Sequence, residues 1–466
     1  PADELEPYEI VLAYPIFGNA PADLDLVQAG INEITEAEIN TTVTLLPISY
    51  STWAQQMNLM MSGGEKLDIL VSIGDYMTRA LSGQLLDISE LMDEYGQGTI
   101  EAVGQDTIDI ARVNGDLYGV PTLHDYGSGF GVLVRKDIAE KYDIDVASIK
   151  TLDDLGNALK VVKDNEPDIA PLALNNRSMH PVNYLGIDSL GDMSNCGILP
   201  STSDDLTVVD LYSMPEYESA LQTFRNWFEA GYINQDAATY QGNTNDFLKS
   251  DRAYFDLTTT KPGIAEAANV QVGKEMVLAE LREPYSSTGN YTSIMWSLAH
   301  QCENPERTMM FLDMVYTNED IVNLFVWGVE GEHYVKVDDT VVDYPEGVDV
   351  TNTGYNNSET SWLFGNQFLS YTFVGDDPDL WERMREFNAS VEQSAAMGFT
   401  FNPENVRTEL ASLNNVVNEF APGLYTGSLD PAETLPEFRQ KLEASGLEKV
   451  IAEKQAQLDA WAAAAE

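Results

Sequence analysis

The chain has 466 residues, and its 76 Asp plus Glu stand against 25 Lys plus Arg, a formal balance of −51 at pH 7. Such a surface repels phosphate backbones and anionic lipid heads, and no basic run offsets it, which excludes nucleic-acid binding and charge-driven membrane docking. A hydrophobic content of 44% with 10% aromatic separates it from acidic disordered chains and supplies two or three cores, while no apolar run reaches the ~20 residues of a membrane helix.

The opening at Pro1, with an acidic stretch to Pro7, reads as a processed start from which a targeting signal has been removed. The run Tyr8 to Tyr14 predicts a strand, stopped by Pro15, Gly18 and Pro21. Leu24, Val27, Ile31 and Ile34 then recur at helical spacing. Thr42 to Leu46 predicts a second strand ended by Pro47, Trp53, Met57 and Met60 a second helix, and Asp68 to Ser72 a third strand. Strands separated by helices of this length predict a parallel sheet covered on both faces.

The pattern restarts after a join near Pro121 to Gly127. Gly129 to Val134 predicts a strand, and Thr151 with Asp154 predicts a capping box ahead of Leu152, Leu155, Leu159 and Val162. Tyr217, Leu221, Phe224 and Phe228 form a helical stripe closed by Gly231, and Ala253 to Leu257 predicts the next strand. In the last third, Asn304-Pro305 and Asn402-Pro403 predict helix starts, Leu380, Met384, Phe387 and Val391 form another stripe, and the chain from Leu435 onward reads as helical and polar.

Signatures of catalysis are missing: there is no Gly-x-Ser-x-Gly, His-Glu-x-x-His, Walker or dinucleotide motif. Gly127-Ser128-Gly129-Phe130-Gly131 lacks a lysine and precedes a strand, so it predicts a tight turn rather than a phosphate loop. His124, His180, His300 and His333 show no metal spacing, and Asp23/Asp25 and Asp143/Asp145 lack the glycine and glutamate of a calcium loop. No cofactor or metal is expected. Cys196 and Cys302 predict free buried thiols.

Aromatic residues stand beside short polar ones in loop-like places: Asp75-Tyr76, His124-Asp125-Tyr126, Asn175-Asn176-Arg177, and Ser361-Trp362 through Asn366. Aromatic faces stack on the C–H face of a sugar ring, and Asp, Asn and Arg give paired hydrogen bonds to neighbouring hydroxyls.

Several ordered motifs carry a resemblance. Asn114-Gly115-Asp116-Leu117-Tyr118-Gly119-Val120-Pro121 is similar to the Asn-Gly-x-x-Tyr-Gly-x-Pro run before the first hinge of extracellular solute-binding proteins of ABC importers. Phe228 to Asn234 and Leu248 to Asp256 resemble two further segments of that family. Asn304 to Thr317, Trp327 to Tyr334 and Phe364 to Gln367 resemble its Gram-positive lipoprotein-type subgroup, which has an extra C-terminal region and is associated with complex carbohydrates.

The resemblance implies an α/β fold of the type II periplasmic-binding-protein kind: two hinge-linked lobes, a central cleft and added C-terminal helices. It implies crossings near Thr122 to Tyr126, Pro284 to Asn290 and Gly328 to Glu330, hence one lobe of residues 1–122 plus 290–328 and another of 123–289 plus 329–466. Ligand contacts are expected from loops at the carboxyl ends of strands. Those loops carry Phe17, Asn19, Asp75 and Tyr76 in the first lobe and His124, Asp125 and Tyr126 at the hinge. In the second they carry Asn176, Arg177, His180 and Tyr184, with Trp362 and Asn366 from the added region. Trp53 begins a helix and can face either cleft or core, whereas Trp296 is expected to pack in the core.

The function so implied is capture of an oligosaccharide by a non-enzymatic, monomeric receptor that delivers it to ABC permease subunits. The receptor is expected outside the cell, as a lipoprotein held at the outer face of the cytoplasmic membrane. The lipid-bearing cysteine is not in this chain, so the anchor is an expectation about the precursor. The alternatives are a receptor for a peptide or other small solute, and a secreted glycoside hydrolase or esterase.

Overall fold

The computed structural model describes residues 5–192 and 194–465. Ten strands build its two five-stranded sheets. In chain order they are β1 (Tyr8–Ile16), β2 (Thr41–Ser49), β3 (Ile69–Ile73), β4 (Val120–Pro121), β5 (Ser128–Arg135), β6 (Leu172–Ala173), β7 (Phe255–Thr258), β8 (Met276–Ser286), β9 (Ile294–Leu298) and β10 (Glu392–Gln393). The chain divides into two compact units, one running to His124 and resuming over Asn290–Val374, the other comprising Asp125–Gly289 and the chain from Gly375.

The sheet of the first unit has the order β2-β1-β3-β9-β4. β1 runs parallel to β2 from Tyr8↔Thr41 to Ile16↔Ser49 and parallel to β3, while β9 is antiparallel to β3 and to β4. The carboxyl ends of β1 to β4 therefore share one edge of the sheet. Pro15 and Pro47 were expected to stop their strands, yet both lie inside them. β2 is an edge strand, and β1 pairs with β3 only at Leu12 and Ala13, so neither proline has to feed ladders on two sides. Trp296 is fully buried in β9 as expected, its indole N–H donating to the Leu363 carbonyl at 2.7 Å.

Residues 329–374, expected in the second lobe, pack in the first unit. Backbone and side-chain bonds hold them there: Asp23 N–H donates to Gly354 O at 3.1 Å and Asn357 N–H to Val326 O at 2.8 Å. The Tyr355 hydroxyl donates to Phe325 O at 2.9 Å and the Trp327 indole to Tyr371 O at 3.0 Å. The segment adds a three-stranded sheet from residues 335–336, 341–343 and 372–373. The chain thus leaves this unit after Val374 and not near Gly328.

In the second unit the order is β10-β8-β5-β7-β6. β5 is antiparallel to β7 and β8, and β6 is parallel to β7, which brings the carboxyl ends of β6, β7 and β8 to the edge where β5 begins. The capping box forms: Asp154 N–H donates to Thr151 Oγ1 at 3.1 Å and Thr151 N–H to Asp154 Oδ2 at 3.0 Å. Gly231, with φ 72°, lies just past the helix Pro215–Glu229. After Asn402-Pro403 a short 3-10 turn comes first, and the α-helix starts at Arg407.

Three helices, Arg407–Tyr425, Pro431–Ala444 and Leu447–Ala465, close the chain. They bury Leu413, Leu424, Phe438 and Leu442 against Ile198, Tyr212 and Tyr217, so they complete the core of the second unit. Lys454 is wholly buried there, its ammonium donating to Gly197 O at 2.7 Å, to Asp192 Oδ2 at 3.1 Å and to Ser189 O at 3.2 Å. The helix Leu380–Ser390 buries only Met384 fully, and Val391 falls just beyond its end. Both cysteines are free; burial pushes the thiol of Cys196 up to about 12 and that of Cys302 up to about 11.

Candidate functional site

At the carboxyl edge of the first sheet, the turn after β2 folds onto the end of β1 through Tyr50 N–H, which donates to Ile16 O at 2.8 Å. This brings Tyr50, 47% exposed, against Phe17, 51% exposed, with ring centroids 5.0 Å apart. Trp362 joins them with its centroid 5.7 Å from Phe17. Its indole N–H donates to Glu359 O within its own turn at 3.1 Å, so its polar atom is satisfied while the ring is half-buried. The three rings make an aromatic platform, and Asn19 is exposed on the same turn as Phe17. Tyr50 was missed in the sequence, although it sits between Ser49 and Ser51, the same aromatic-beside-polar pattern that marked the other loops.

Asp75 follows β3, and Arg79, almost fully buried, grips its Oδ2 through Nε and Nη2 at 2.7 Å each. Asp75 Oδ1 is buried and has no partner. The result is a carboxylate held in one orientation with one acceptor oxygen to spare. Tyr76, by contrast, is buried, its hydroxyl donating to Ala111 O at 2.8 Å and accepting from Tyr118 N–H at 3.2 Å.

Trp53 is buried at 3% exposure. Asn366 is buried too: its amide donates to Tyr316 O at 3.0 Å and its oxygen accepts from Phe368 N–H at 3.1 Å. His124 is buried at the end of the unit. Trp362 and Asn366 belong to this unit rather than to the second, because residues 329–374 pack here.

At the corresponding edge of the second unit, Asp125 pairs with Lys261 at 2.7 Å. Tyr126 is buried; its N–H donates to Asn388 Oδ1 at 2.8 Å and its carbonyl accepts from Ser286 Oγ at 2.5 Å. The loop after β6 is braced by Asn176 N–H to Tyr240 O at 3.2 Å and by Asn175 Nδ2 to Gly242 O at 3.0 Å. These bonds leave the side chains of Asn176 and Arg177 exposed.

His180, half-buried, stacks on Tyr425 with centroids 4.3 Å apart and planes at 21°. Desolvation pushes its imidazole down to about 4, so it is neutral at ordinary pH. Tyr184 sets its edge on Phe130 at 5.5 Å. Tyr425 comes from the C-terminal helices, and no local pattern in the sequence ties it to His180. Among the described residues no group of three or more His, Cys, Asp or Glu side chains is placed to hold a metal ion, and no helix is long and apolar enough to cross a membrane.

Comparison with known proteins bears out the resemblance. Residues 22–184 match the family described as bacterial extracellular solute-binding protein, and residues 395–463 match a domain of unknown function, DUF3502. A Streptococcus pneumoniae serotype 4 protein named as a carbohydrate ABC transporter substrate-binding protein is 26% identical, over 97% of this chain and 90% of its own. The crystal structure of the N-glycan transport solute-binding protein NgtS of S. pneumoniae matches with a TM-score of 0.84 at 24% identity, covering 97% of this chain and 98% of that one. An extracellular solute-binding protein of Bifidobacterium longum subsp. infantis matches with a TM-score of 0.66 at 15% identity, covering 98% and 99% of the two chains. The fold is that of these two-lobed solute-binding proteins with added C-terminal helices, as expected.

Proposed function

We propose that the chain is the substrate-binding receptor of an ABC importer and captures an oligosaccharide without cleaving it. The observation that carries the reading is the platform of Phe17, Tyr50 and Trp362, which stands on the sheet edge that also presents the oriented carboxylate of Asp75. Stacked rings take the C–H faces of sugars, and a fixed acceptor oxygen takes a hydroxyl donor. Asn176, Arg177 and His180 supply exposed or half-exposed polar groups on the second unit.

Related proteins support the sugar class: NgtS was crystallised with Man1GlcNAc and with Man5GlcNAc, and FusA of S. pneumoniae with kestose. In this reading the protein works outside the cell as a monomer and hands its ligand to permease subunits. Trp53, Tyr76, Tyr126 and Asn366 serve as framework around the ligand residues.

Thermal melting against Man1GlcNAc, Man5GlcNAc, kestose and a peptide mixture tests it, with chromatographic recovery of any ligand that acts. A sugar at ~100 times its dissociation constant adds roughly 2.7 kcal/mol to the folded state. A rise with one sugar class recovered intact is the expected result; a rise with peptides alone, or recovery of cleaved sugar, overturns it.

A further inference from the structure

The second unit holds a groove of about 520 Å³ that the receptor reading leaves without a role. Its floor explains the glycine-rich run. Gly129 and Gly131 alternate in β5 and Gly127 directly precedes it, and alternate positions of a strand share one face. A Cβ at Gly129 would come within 1.8 Å of Thr260 Oγ1, one at Gly131 within 2.5 Å of Thr260 Cγ2, and one at Gly127 within 2.7 Å of Val391 and 3.1 Å of Phe387. The glycines thus let Thr260, Val391 and Phe387 lie directly over the strand, and all three line the groove.

The charges on the walls do not balance. Lys261 and Arg383 line the groove, but Lys261 is engaged by Asp125 and Arg383 by Asp377. Glu280, Glu283 and Glu392 also line it; among the described residues none of the three forms an ion pair, and Lys150 and Arg282 act on Glu280 only at longer range. Burial, and next the neighbouring charge of Glu283, raise the Glu280 carboxyl above its ordinary value. Thr260 is 2% exposed; its hydroxyl makes no hydrogen bond of normal length and only leans toward Glu280, whose carboxyl it draws slightly back down. A groove with carboxylates in excess, a buried hydroxyl without a close partner beside them and an aromatic ring suits a cation that also donates hydrogen bonds.

We propose that this groove is a binding site for a primary ammonium group, seated against Glu280 and Glu283, with Thr260 as a further acceptor and Phe387 as the ring beside it. The groove shares Lys261 with the edge that carries Asp125, so it adds a cation to the chemistry of that edge, but binding of an amine there does not require that an oligosaccharide be captured. The ammonium comes from an amino sugar or from a basic peptide, and both supply the same chemistry.

Calorimetric titration at about 0.15 M salt, where long-range attraction to the acidic surface is screened, decides it. The probes are the glucosamine dimer, dilysine and the N-acetylated dimer as neutral control. They are titrated into the wild type, into Glu280→Gln/Glu283→Gln, and into Glu33→Gln/Glu36→Gln, a pair of exposed sites on the first unit that makes the same charge change. An amine that binds the wild type and the distant variant alike, and loses affinity about tenfold in the groove variant, supports the site; the tighter of the two amines names its source. Failure of both amines to bind, equal losses in both variants, or an equal loss for the N-acetylated dimer overturns it. Unchanged melting curves of the variants separate a binding loss from a folding defect.

Discussion

Asp256 lies on β7 opposite Leu133 of β5 and Ala173 of β6, and Thr244 Oγ1 donates to its Oδ2 at 2.8 Å. Burial pushes its carboxyl from 3.8 up to about 7. The sign follows from linkage: the folded state prefers the neutral acid, so this contribution is complete below pH 3.8 and is lost as pH rises through about 7. At about 1.4 kcal/mol per unit, the raised carboxyl costs about 4 kcal/mol at pH 8, where it is ionised in both states, and about half of that at pH 5.5, where folding must take up a proton. Asp256→Asn keeps an acceptor for Thr244 and carries no charge, so it stabilises the second unit more at pH 8 than at pH 5.5, by about 2 kcal/mol. Urea unfolding at these two pH values, both above the isoelectric point of about 4.1, measures the difference. An equal effect at both, or a destabilised variant at pH 8, refutes the argument.

Lys454→Met leaves Asp192 buried without its cation and is expected to cost about 3–5 kcal/mol in denaturant titration; the double variant with Asp192→Asn recovers most of it. An unaltered midpoint for the single variant contradicts the assigned role. Phe17→Ala removes an exposed ring of the platform, so calorimetry is expected to show sugar affinity falling about tenfold while the melting point holds; equal binding by the variant counts against the platform. Because the net charge of −51 opposes compaction, added sodium chloride is expected to raise the melting point as it screens the surface, and a flat response rules that out.

Much of the architecture is legible because strand and helix periods alternate cleanly: β1 to β3, the Thr151 capping box and the stripes at Leu155 and Phe224 all follow from local pattern. What is not legible depends on partners distant in the chain. Pro15 and Pro47 read as terminators, since nothing local shows that β2 is an edge and that β1 loses its second partner after Ala13. β8 is not legible locally because Glu280, Arg282 and Glu283 interrupt its apolar residues, at the place where its register against β5 shifts.

The same limit applies to the site residues. Phe17, Asn19, Asp75, Asn176 and Arg177 occupy strand-end loops, as sequence order suggests, whereas the burial of Tyr76, Tyr126 and Asn366 follows from bonds to Ala111, Asn388 and Tyr316 that no motif announces. Trp362 joins Phe17 only because residues 329–374 pack in the first unit. Tyr50 is the exception, readable from Ser49-Tyr50-Ser51 yet passed over. The match of residues 395–463 to a domain of unknown function acquires a structural meaning here: these helices supply Tyr425 behind His180 and much of the core of the second unit.

Capture of an intact oligosaccharide is tested most directly by isothermal titration of the purified protein with Man5GlcNAc and Man1GlcNAc, followed by mass analysis of the released ligand. Saturable binding of one sugar per chain, weakened by Phe17→Ala, with the ligand returned at its original mass, is the predicted result. Absence of binding across these sugars and kestose, or release of shortened products, contradicts it.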